Sequence, residues 1–417
     1  MVYVLDKNGK PLMPCGPAKA RHLLKDKKAV IVNRTPFTIR LKFEVDGHTD
    51  PISLGVDAGS KHVGLSAVSN GRVLFEADVE LRDDVTKMLT TRRARRADRR
   101  NRKRYREPRF NNRVRSKPKG WLAPTVVEKL DTHEHAIGKV CSILPVTEMT
   151  VEVADFNVRK LIDPDIKGEE YQHGPQEGYL NVREYVLARD QHCCTHCKKG
   201  HEKAKLEVHH IVRRASGGTN TPYNLITLCH ECHVKVHEGK IKIKTPEFMQ
   251  LKHATFMGVV RWAIGTRLRK IYGEDNVKFT FGYITKAKRI EYGLKKDHMV
   301  DARCIAGCPN AIPPDECFQM RKVRCHNRQI HNDAIMKNGK RKLHQSADVI
   351  KGFRLWDQVR FEGKDCCITG KRAIGYFLLK NKDWEKVTDK APVRKIRILE
   401  RRQNILIFRR SLATHSA

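Results

Sequence analysis

The chain has 417 residues, of which 40% are hydrophobic, and this length is enough for two or three domains with cores of their own. Its 83 Lys and Arg residues face only 47 Asp and Glu residues, and the formal net charge of +36 indicates a polyanionic partner such as nucleic acid. No apolar stretch of signal-peptide length opens the chain, and no run of about 18 apolar residues occurs, so we expect a cytoplasmic protein without a membrane span. The 13 cysteines include two Cys-x-x-Cys pairs and are otherwise scattered, which suits reduced thiols.

Residues 1–50 predict a small basic α+β unit. A helix candidate around Ala18–Lys25 precedes two strand-like runs, Ala29–Val32 and Phe37–Phe43. The segment Pro11–Pro14, Pro-Leu-Met-Pro, is by itself compatible with a simple turn.

Three antiparallel strands are predicted next. An apolar strand reaches Asp57, a second covers Lys61–Val68, and the hairpin signal Asn70-Gly71 leads into a third at Val73–Val79. Three such strands with an acid on the first are typical of the start of an RNase H-like fold. At this point an ordinary hairpin with a capping Asp57 remains the alternative.

A strongly basic segment follows at Arg92–Arg115, which contains 13 Arg and Lys residues. Residues 92–106 predict a helix that is cationic on every face, which cannot pack into an apolar core and would bind a phosphate backbone. A solvated basic tail is the commoner meaning of such runs, but this one lies between two fold-like segments. The candidate phosphate ligands are Arg92, Arg93, Arg95, Arg96, Arg99, Arg100, Arg102, Arg104 and Arg106.

Two later elements carry further acids. Met149–Ala154 is a strand candidate with Glu152 as its acid, and a carboxylate on an apolar strand is costly unless it faces a metal or a partner. Lys295–Ala306 predicts a helix with His298 and Asp301 at i,i+3 on one face.

The remaining segments predict a linker at 157–180, helices at Thr125–Leu144, Tyr179–Asp190 and Pro246–Ile271, and a strand at Val277–Thr285. After Pro309, short β-like runs alternate with Gly and basic residues, which predicts a small basic β-rich domain.

Residues 194–237 concentrate metal-binding residue types. Two Cys-x-x-Cys pairs can close a tetrahedral zinc site of four thiolates, Cys194, Cys197, Cys229 and Cys232. Between the pairs lie His209-His210 and Asn224, and His233 and His237 follow at helical spacing. A single zinc-finger module is the alternative, although adjacent histidines and the Asn have no role in a finger. The pattern closely resembles the HNH (ββα-metal) nucleases.

Taken in order, these segments resemble the IscB family of transposon-encoded (OMEGA) RNA-guided nucleases, related to the type II CRISPR effectors. The resemblance covers essentially the whole chain and implies an α/β multidomain fold, in which a split RNase H-like (RuvC) domain contains an inserted HNH domain. The implied parts are a PLMP domain at 1–50, RuvC-I at 51–88, an Arg-rich bridge helix at 89–120, RuvC-II at 121–160, a linker and HNH domain at 161–245, RuvC-III at 246–308, and a β-rich, target-adjacent-motif interacting C-terminal domain at 309–417.

The resemblance implies a metal-dependent DNA endonuclease that binds a structured guide RNA (omega RNA) and cuts both strands of a matching duplex beside a short motif. HNH would cut the guide-paired strand and RuvC the displaced strand, with no obligate protein partner, in the prokaryotic nucleoid. The large CRISPR effectors carry Asp where this chain has His209, and no room remains for their helical recognition lobe, so the guide RNA would take over that scaffolding.

Roles follow for each candidate residue. His210 is expected to act as general base, while His209 and His233, with His237 as a further candidate, would hold a catalytic Mg²⁺ or Mn²⁺. Asn224 would either touch that ion or hold the loop that aims His210. The RuvC site would hold two Mg²⁺ on Asp57, Glu152 and Asp301, with His298 activating water or orienting the phosphate.

Two other classes compete with this interpretation. One is a protein-guided homing-type or structure-selective DNA endonuclease without RNA. The other is a non-catalytic RNA-binding protein with vestigial nuclease sites, against which every position that the two sites require is filled.

Overall fold

The structure is a computed structural model that describes residues 1–45, 47, 49–103, 120–153, 179–213, 220–244, 251–314, 316–324, 338 and 347–411. It divides into two compact units, one made of residues 1–154 with 259–417 and the other of residues 155–258. The smaller unit therefore interrupts the sequence of the larger one. Arg104 and Arg106, two of the candidate phosphate ligands, and most of the expected linker at 157–180 lie outside the described residues.

A four-stranded sheet with one helix forms the N-terminal part of the larger unit. Its strand order is β2-β1-β4-β3, with β1 and β4 parallel, and its apolar side packs beneath the helix around Ile39. Pro11–Pro14 lies in an edge strand rather than a turn, and prolines are tolerated there because an edge strand need not donate on both sides. The elements are β1 (Val2–Leu5), β2 (Pro11–Cys15), α1 (Pro17–Lys25), β3 (Ala29–Asn33) and β4 (Thr38–Leu41).

The main sheet of the larger unit begins with the predicted antiparallel trio. These three strands pair in sequence order, and a fourth strand joins the first in parallel, so their interiors form a continuous apolar layer. A basic helix and an amphipathic helix lie between the third and fourth strands in sequence. The elements are β5 (Ser53–Ala58), β6 (His62–Ser69), β7 (Arg72–Glu80), α2 (Val85–Lys103), α3 (Pro124–Cys141) and β8 (Glu148–Glu152).

The smaller unit contains a helix, a two-stranded antiparallel sheet and a second helix that starts where the sheet ends. Its core is small and includes the buried cysteines Cys194, Cys229 and Cys232 beside Leu187 and Leu228. The elements are α4 (Val182–Arg189), β9 (Leu206–His210), β10 (Leu225–Cys229) and α5 (His230–His237).

The chain then completes the main sheet. The complete sheet has seven strands in the order β11-β8-β5-β6-β7-β12-β18. The last two strands of this order, β12 and β18, come from residues after 309. The strand expected at Val277–Thr285 ends at Thr280, and a helix replaces its second half. The elements are α6 (Leu251–Tyr272), β11 (Val277–Thr280), α7 (Gly282–Glu291), α8 (His298–Ile305), β12 (Glu316–Lys322) and β18 (Ile405–Ser411).

A second, five-stranded antiparallel sheet fills most of the C-terminal part. Its order is β16-β15-β14-β13-β17, around a core that includes Val359, Ile368 and Phe377. Glu362 and Gly363 both have positive φ angles, as the two-residue hairpin turn between β13 and β14 requires. The elements are β13 (Gln358–Phe361), β14 (Lys364–Lys371), β15 (Tyr376–Lys380), β16 (Lys386–Pro392) and β17 (Ile396–Glu400). No helix in the described part of the chain is both long and apolar enough to cross a bilayer.

Candidate active sites

The first site is built where helix α8 lies directly on the main sheet. Gly64 of β6 is paired with Asp57 of β5, and a Cβ at Gly64 would lie 1.8 Å from the carbonyl oxygen of His298. Only glycine permits this approach, which brings the His298 ring beside Asp57. Nδ1 of His298 donates to Oδ2 of Asp57 at 2.6 Å, and this hydrogen bond raises the pKa of His298.

A second histidine lies against His298 from the sheet side. His62 stacks on His298 with ring centroids 5.5 Å apart, and its Nδ1 lies 3.1 Å from both carboxylate oxygens of Asp78. Gly64 pairs with Asp78 on β7 as well as with Asp57 on β5, so two acids flank the position over which His298 lies. The sequence analysis missed His62 and Asp78 because only the strand register brings them here.

Glu152 enters the same site from the carboxyl end of β8. Val151 pairs with Val56 in the parallel β5–β8 ladder, so Glu152 and Asp57 leave the sheet at the same end. Thr285 Oγ1 donates to Glu152 Oε2 at 2.5 Å, and a Cβ at Gly282 would approach Glu152 Oε1 to 2.9 Å. Helix α7, whose first four residues fall in the predicted strand Val277–Thr285, therefore begins against this carboxylate.

Asp301 completes the group from helix α8. Arg289 Nε lies 2.9 Å from Asp301 Oδ1 but is not aligned for a hydrogen bond, so among the described residues this buried oxygen has an ion-pair partner and no hydrogen-bond donor. Burial, followed by the charge of Asp57, raises the pKa of Asp301.

The electrostatics of the three acids fit bound cations. Burial above all, together with the charges of Asp57 and Asp301, raises the pKa of Glu152 to about 7, and a cation between the acids would lower it again. The oxygen atoms of these three carboxylates do not all lie within 4.8 Å of one another. The ligand atoms of the described cysteine cluster and of the described histidine cluster do.

The second site lies in the smaller unit on a ββα arrangement. In the β9–β10 ladder His210 faces Leu225 and His209 faces Ile226, and α5 starts directly after β10. Nitrogen atoms of His209, His233 and His237 lie within 4.8 Å of one another, and Nε2 of His233 is 3.1 Å from Nε2 of His237. Burial, then the nearby His233 and His237, lowers the pKa of His209 to about 4, so it stays neutral and keeps a lone pair for a metal.

Glu207 supports this cluster and was not predicted. Its Oε2 lies 2.5 Å from Nδ1 of His233, and its Oε1 lies 3.1 Å from Nδ1 of His230. A proton on Nδ1 of His233 leaves Nε2 as the ligand atom, which is the tautomer that the cluster needs. Glu207 precedes His209 by two residues on one strand, so the period-2 pattern was a signal that could have revealed it.

His210 projects away from its neighbour in the strand, as alternate strand residues do. Its Nε2 lies 2.9 Å from Asn220 Oδ1. Asn224, only 2% exposed, binds the segment just after His210: its Oδ1 accepts from the Val212 amide at 2.9 Å and its Nδ2 donates to the Val212 carbonyl at 3.0 Å. Two roles were predicted for Asn224, contact with the metal or support of the loop that aims His210, and these contacts are those of the supporting role.

The four predicted cysteines converge as well. Their sulfur atoms lie within 4.8 Å of one another, and Sγ of Cys197 and Cys229 are 3.6 Å apart. A tetrahedral site with zinc–sulfur bonds of about 2.3 Å has sulfur–sulfur edges of about 3.8 Å, so the spacing fits zinc. Burial opposes ionisation of Cys194, but backbone amides of Cys197, Cys229 and His196 outweigh it and lower its pKa to about 7.

Helix α2 presents the predicted basic surface. Arg92, Arg93 and Arg96 are exposed and Arg95 is half-buried. Arg99, Arg100 and Arg102 belong to the same helix, but their side chains lie outside the described set. The helix extends from Val85 to Lys103, so it starts earlier than the basic run.

Two family models match separate segments of the chain. A family model described as RRXRR protein matches residues 2–174, and one described as HNH endonuclease matches residues 194–239. Arg92–Arg96 reads Arg-Arg-Ala-Arg-Arg, the pattern in the first description.

Curated relatives match short segments. The chain is 32% identical over 101 residues to the type IV methyl-directed restriction enzyme EcoKMcrA of Escherichia coli (strain K12), covering 21% of this chain and 36% of that protein. It is 34% identical over 77 residues to Anaredoxin of Nostoc sp., covering 18% of this chain and 97% of that protein.

Two solved Cas9 structures are also similar. Streptococcus thermophilus Cas9 in complex with AGGA PAM gives a TM-score of 0.34 at 11% identity, covering 62% of this chain and 32% of that one. The type II-C Cas9 of Actinomyces naeslundii gives 0.17 at 19% identity, covering 47% and 33%. The chain thus spans about a third of the length of the restriction enzyme and of these Cas9 chains.

The ββα arrangement and the HNH match define the class of the smaller unit, which is an HNH endonuclease domain. Together with the RRXRR match over residues 2–174, this supports an IscB-like, Cas9-related nuclease.

Proposed function

We propose that the chain is an RNA-guided DNA endonuclease that cuts both strands of a matched duplex, one strand at each site. The observation that carries this proposal is that one chain assembles two sets of catalytic groups of different chemistry. Buried acids and a histidine converge on the main sheet, and a three-histidine cluster lies in the inserted unit. A single-site homing-type enzyme needs only the second set.

We infer that the main sheet is a RuvC-type, RNase H-like nuclease. An antiparallel trio continued by parallel strands, with acids leaving β5 and β8 at one end, supports this assignment. Asp57, Glu152 and Asp301 would hold Mg²⁺ or Mn²⁺, which when bound stabilises charge on the attacking and leaving oxygens. His298, fixed by Asp57 and His62, then orients the scissile phosphate or the attacking water.

In the HNH domain, His209, His233 and His237 would hold a single divalent ion on the scissile phosphate. His210 takes a proton from water, Asn220 fixes its ring, and Asn224 holds the backbone that follows it. Cys194, Cys197, Cys229 and Cys232 would hold a structural zinc, because four thiolates leave no open position for chemistry.

The guide is inferred from charge and organisation. The net charge of +36 and the exposed arginines of α2 support a large phosphate-binding surface for a structured omega RNA and for target DNA. The protein would recognise the heteroduplex shape and a short flanking motif, for which the five-stranded C-terminal sheet is our candidate, while base pairing supplies the sequence. HNH would cut the guide-paired strand and RuvC the displaced strand.

The test is strand-resolved cleavage by protein expressed from its native locus, after sequencing of any RNA that co-purifies. We expect bound RNA and cuts in both labelled strands of a duplex that matches it. Asp57→Ala should leave only the guide-paired strand cut and His210→Ala only the displaced strand. Asp26→Ala, which removes an exposed acid directly after α1, is the matched control and should cut both strands.

RNA-free protein that cuts plasmid DNA would overturn the proposal in favour of a DNA endonuclease without RNA. Loss of both cuts from either single substitution would overturn the assignment of one strand to each site.

A further inference from the structure

Two exposed aromatic rings lie beside the RuvC carboxylates. Phe281 and Tyr283 are 43% and 73% exposed, and their rings stack with centroids 6.0 Å apart and planes within 10°. Single exposed apolar side chains are normal, but two exposed rings stacked nearly parallel offer a flat aromatic surface to a ligand. Neither the proposed RuvC cleavage step nor the proposed HNH cleavage step uses these two rings.

The backbone places the two rings next to the catalytic group. Thr280 pairs with Glu152 in the parallel β8–β11 ladder, and Phe281 is the next residue. Gly282, between the two rings, lets the chain approach Glu152 Oε1 so closely that a Cβ there would come to 2.9 Å. Thr285, one turn further, donates to the same carboxylate. Each ring therefore lies one or two residues along the chain from Gly282 or Thr285, which contact Glu152.

The surrounding charge identifies the kind of ligand. Residues 281–296 contain five basic residues and a single acid, Glu291. Lys286, Lys295 and Lys296 are exposed. Exposed aromatic rings next to a cationic stretch are the combination by which proteins bind unpaired nucleic acid, since bases stack on the rings while cations contact the phosphates. A protein partner with an apolar face would not need these cations.

We propose that Phe281 and Tyr283 form a stacking platform for an unpaired DNA base next to the phosphate that the RuvC site cuts. This inference rests on the proposed function, because the displaced strand is the unpaired strand there. Stacking on the platform fixes the register of the strand, so that one phosphate at a time lies against Asp57, Glu152 and Asp301. Phe281 and Tyr283 are positioning residues and take no part in proton transfer.

Photocrosslinking tests the platform directly and does not depend on guided cleavage. The full chain, with any RNA that it retains, is irradiated with single-stranded DNA containing 5-iododeoxyuridine, and the crosslinked peptide is mapped. We expect the crosslink at Phe281 or Tyr283. Crosslinks confined to other segments would overturn the proposal, whether or not the protein proves to be RNA-guided.

Cleavage of a guide-matched duplex gives the second readout. Tyr283→Ala should slow displaced-strand cutting at least about fivefold, the effect of one lost base–aromatic stack, and should spread the cut positions, while guide-paired cutting stays unchanged. Tyr283→Phe should restore rate and position, whereas Tyr283→Leu should not. Phe43→Ala, an exposed aromatic residue just after β4, is the matched control and should behave as wild type.

Equal rescue by Phe and Leu would assign the surface to general apolar contact with a protein and overturn the stacking proposal. Equal slowing of both strands would mean that the substitution damages the fold, and would overturn the strand-specific role. Absence of any cutting by the wild-type protein would count against RNA guidance alone, because the crosslink still decides whether the platform exists.

Discussion

At the scale of single residues, Glu207 illustrates how a side chain that touches no substrate sets the chemistry of one that does. Its carboxylate lies 2.5 Å from Nδ1 of His233 and so fixes the tautomer that offers Nε2 to a metal. We expect Glu207→Ala to weaken divalent-metal binding at the histidine cluster by about 10- to 100-fold, and Glu207→Gln to weaken it less. Manganese titration followed by electron paramagnetic resonance, in an Asp57→Ala background that disables the other site, measures the affinity.

The control for this prediction is Glu238→Gln, which removes an exposed carboxylate of the same domain that forms an ion pair with Lys240. Its metal affinity should equal that of the background. Unchanged affinity in Glu207→Ala would show that packing, and not this carboxylate, orients His233.

Residue types and spacing were sufficient to locate the histidines and cysteines of the smaller unit, because those ligands come from short segments with fixed local spacing. His62 and Asp78 could not be found in this way. They meet His298 only because β5, β6 and β7 pair in one register around Gly64, and register across strands is a tertiary property.

At the scale of elements, contact between α8 and the sheet depends on glycines. A Cβ at Gly64 would lie 1.8 Å from the carbonyl oxygen of His298, and backbone cannot yield as a flexible side chain can. We expect Gly64→Ala to lower the free energy of unfolding of the larger unit by about 1–3 kcal/mol, the usual cost of overpacking, and to slow displaced-strand cutting because His298 is displaced from Asp57. Urea denaturation and strand-resolved cleavage measure the two effects.

Gly138→Ala is the matched control, since Gly138 lies inside helix α3 of the same unit and an added Cβ would meet only the Tyr272 hydroxyl at an ordinary 3.6 Å. It should be neutral or stabilise by up to about 1 kcal/mol, as alanine does in helix interiors. If Gly64→Ala behaved in the same way, the close packing of α8 would not be what positions His298.

Elements with strong patterns were predicted well, whereas those whose partners are distant were not. The antiparallel trio and the helix at His298–Ile305 follow from local hydrophobic periodicity and turn signals. The segment 281–285 was predicted as the end of the strand Val277–Thr285, but contacts of Gly282 and Thr285 with Glu152 favour a helix start. Likewise, β12 and β18 extend the main sheet, although their sequence fits the separate C-terminal sheet equally well.

At the scale of the whole molecule, the two units differ in what stabilises them. The larger unit has an extensive apolar sheet, whereas the small core of residues 155–258 includes Cys194, Cys229 and Cys232 and so depends on what binds their thiolates. We therefore expect zinc removal by a chelator, or Cys194→Ser with Cys229→Ser, to unfold the smaller unit and leave the larger one folded. Hydrogen exchange should show protection lost at 206–210 and 225–237 and retained at 53–58 and 62–80.

Cys308→Ser, a half-buried thiol outside the cluster, is the control and should leave both patterns unchanged. Simultaneous loss of protection in β5–β7 would contradict this prediction, because it would mean that the inserted domain and its host fold as one cooperative block rather than as a zinc-dependent domain within a self-sufficient sheet.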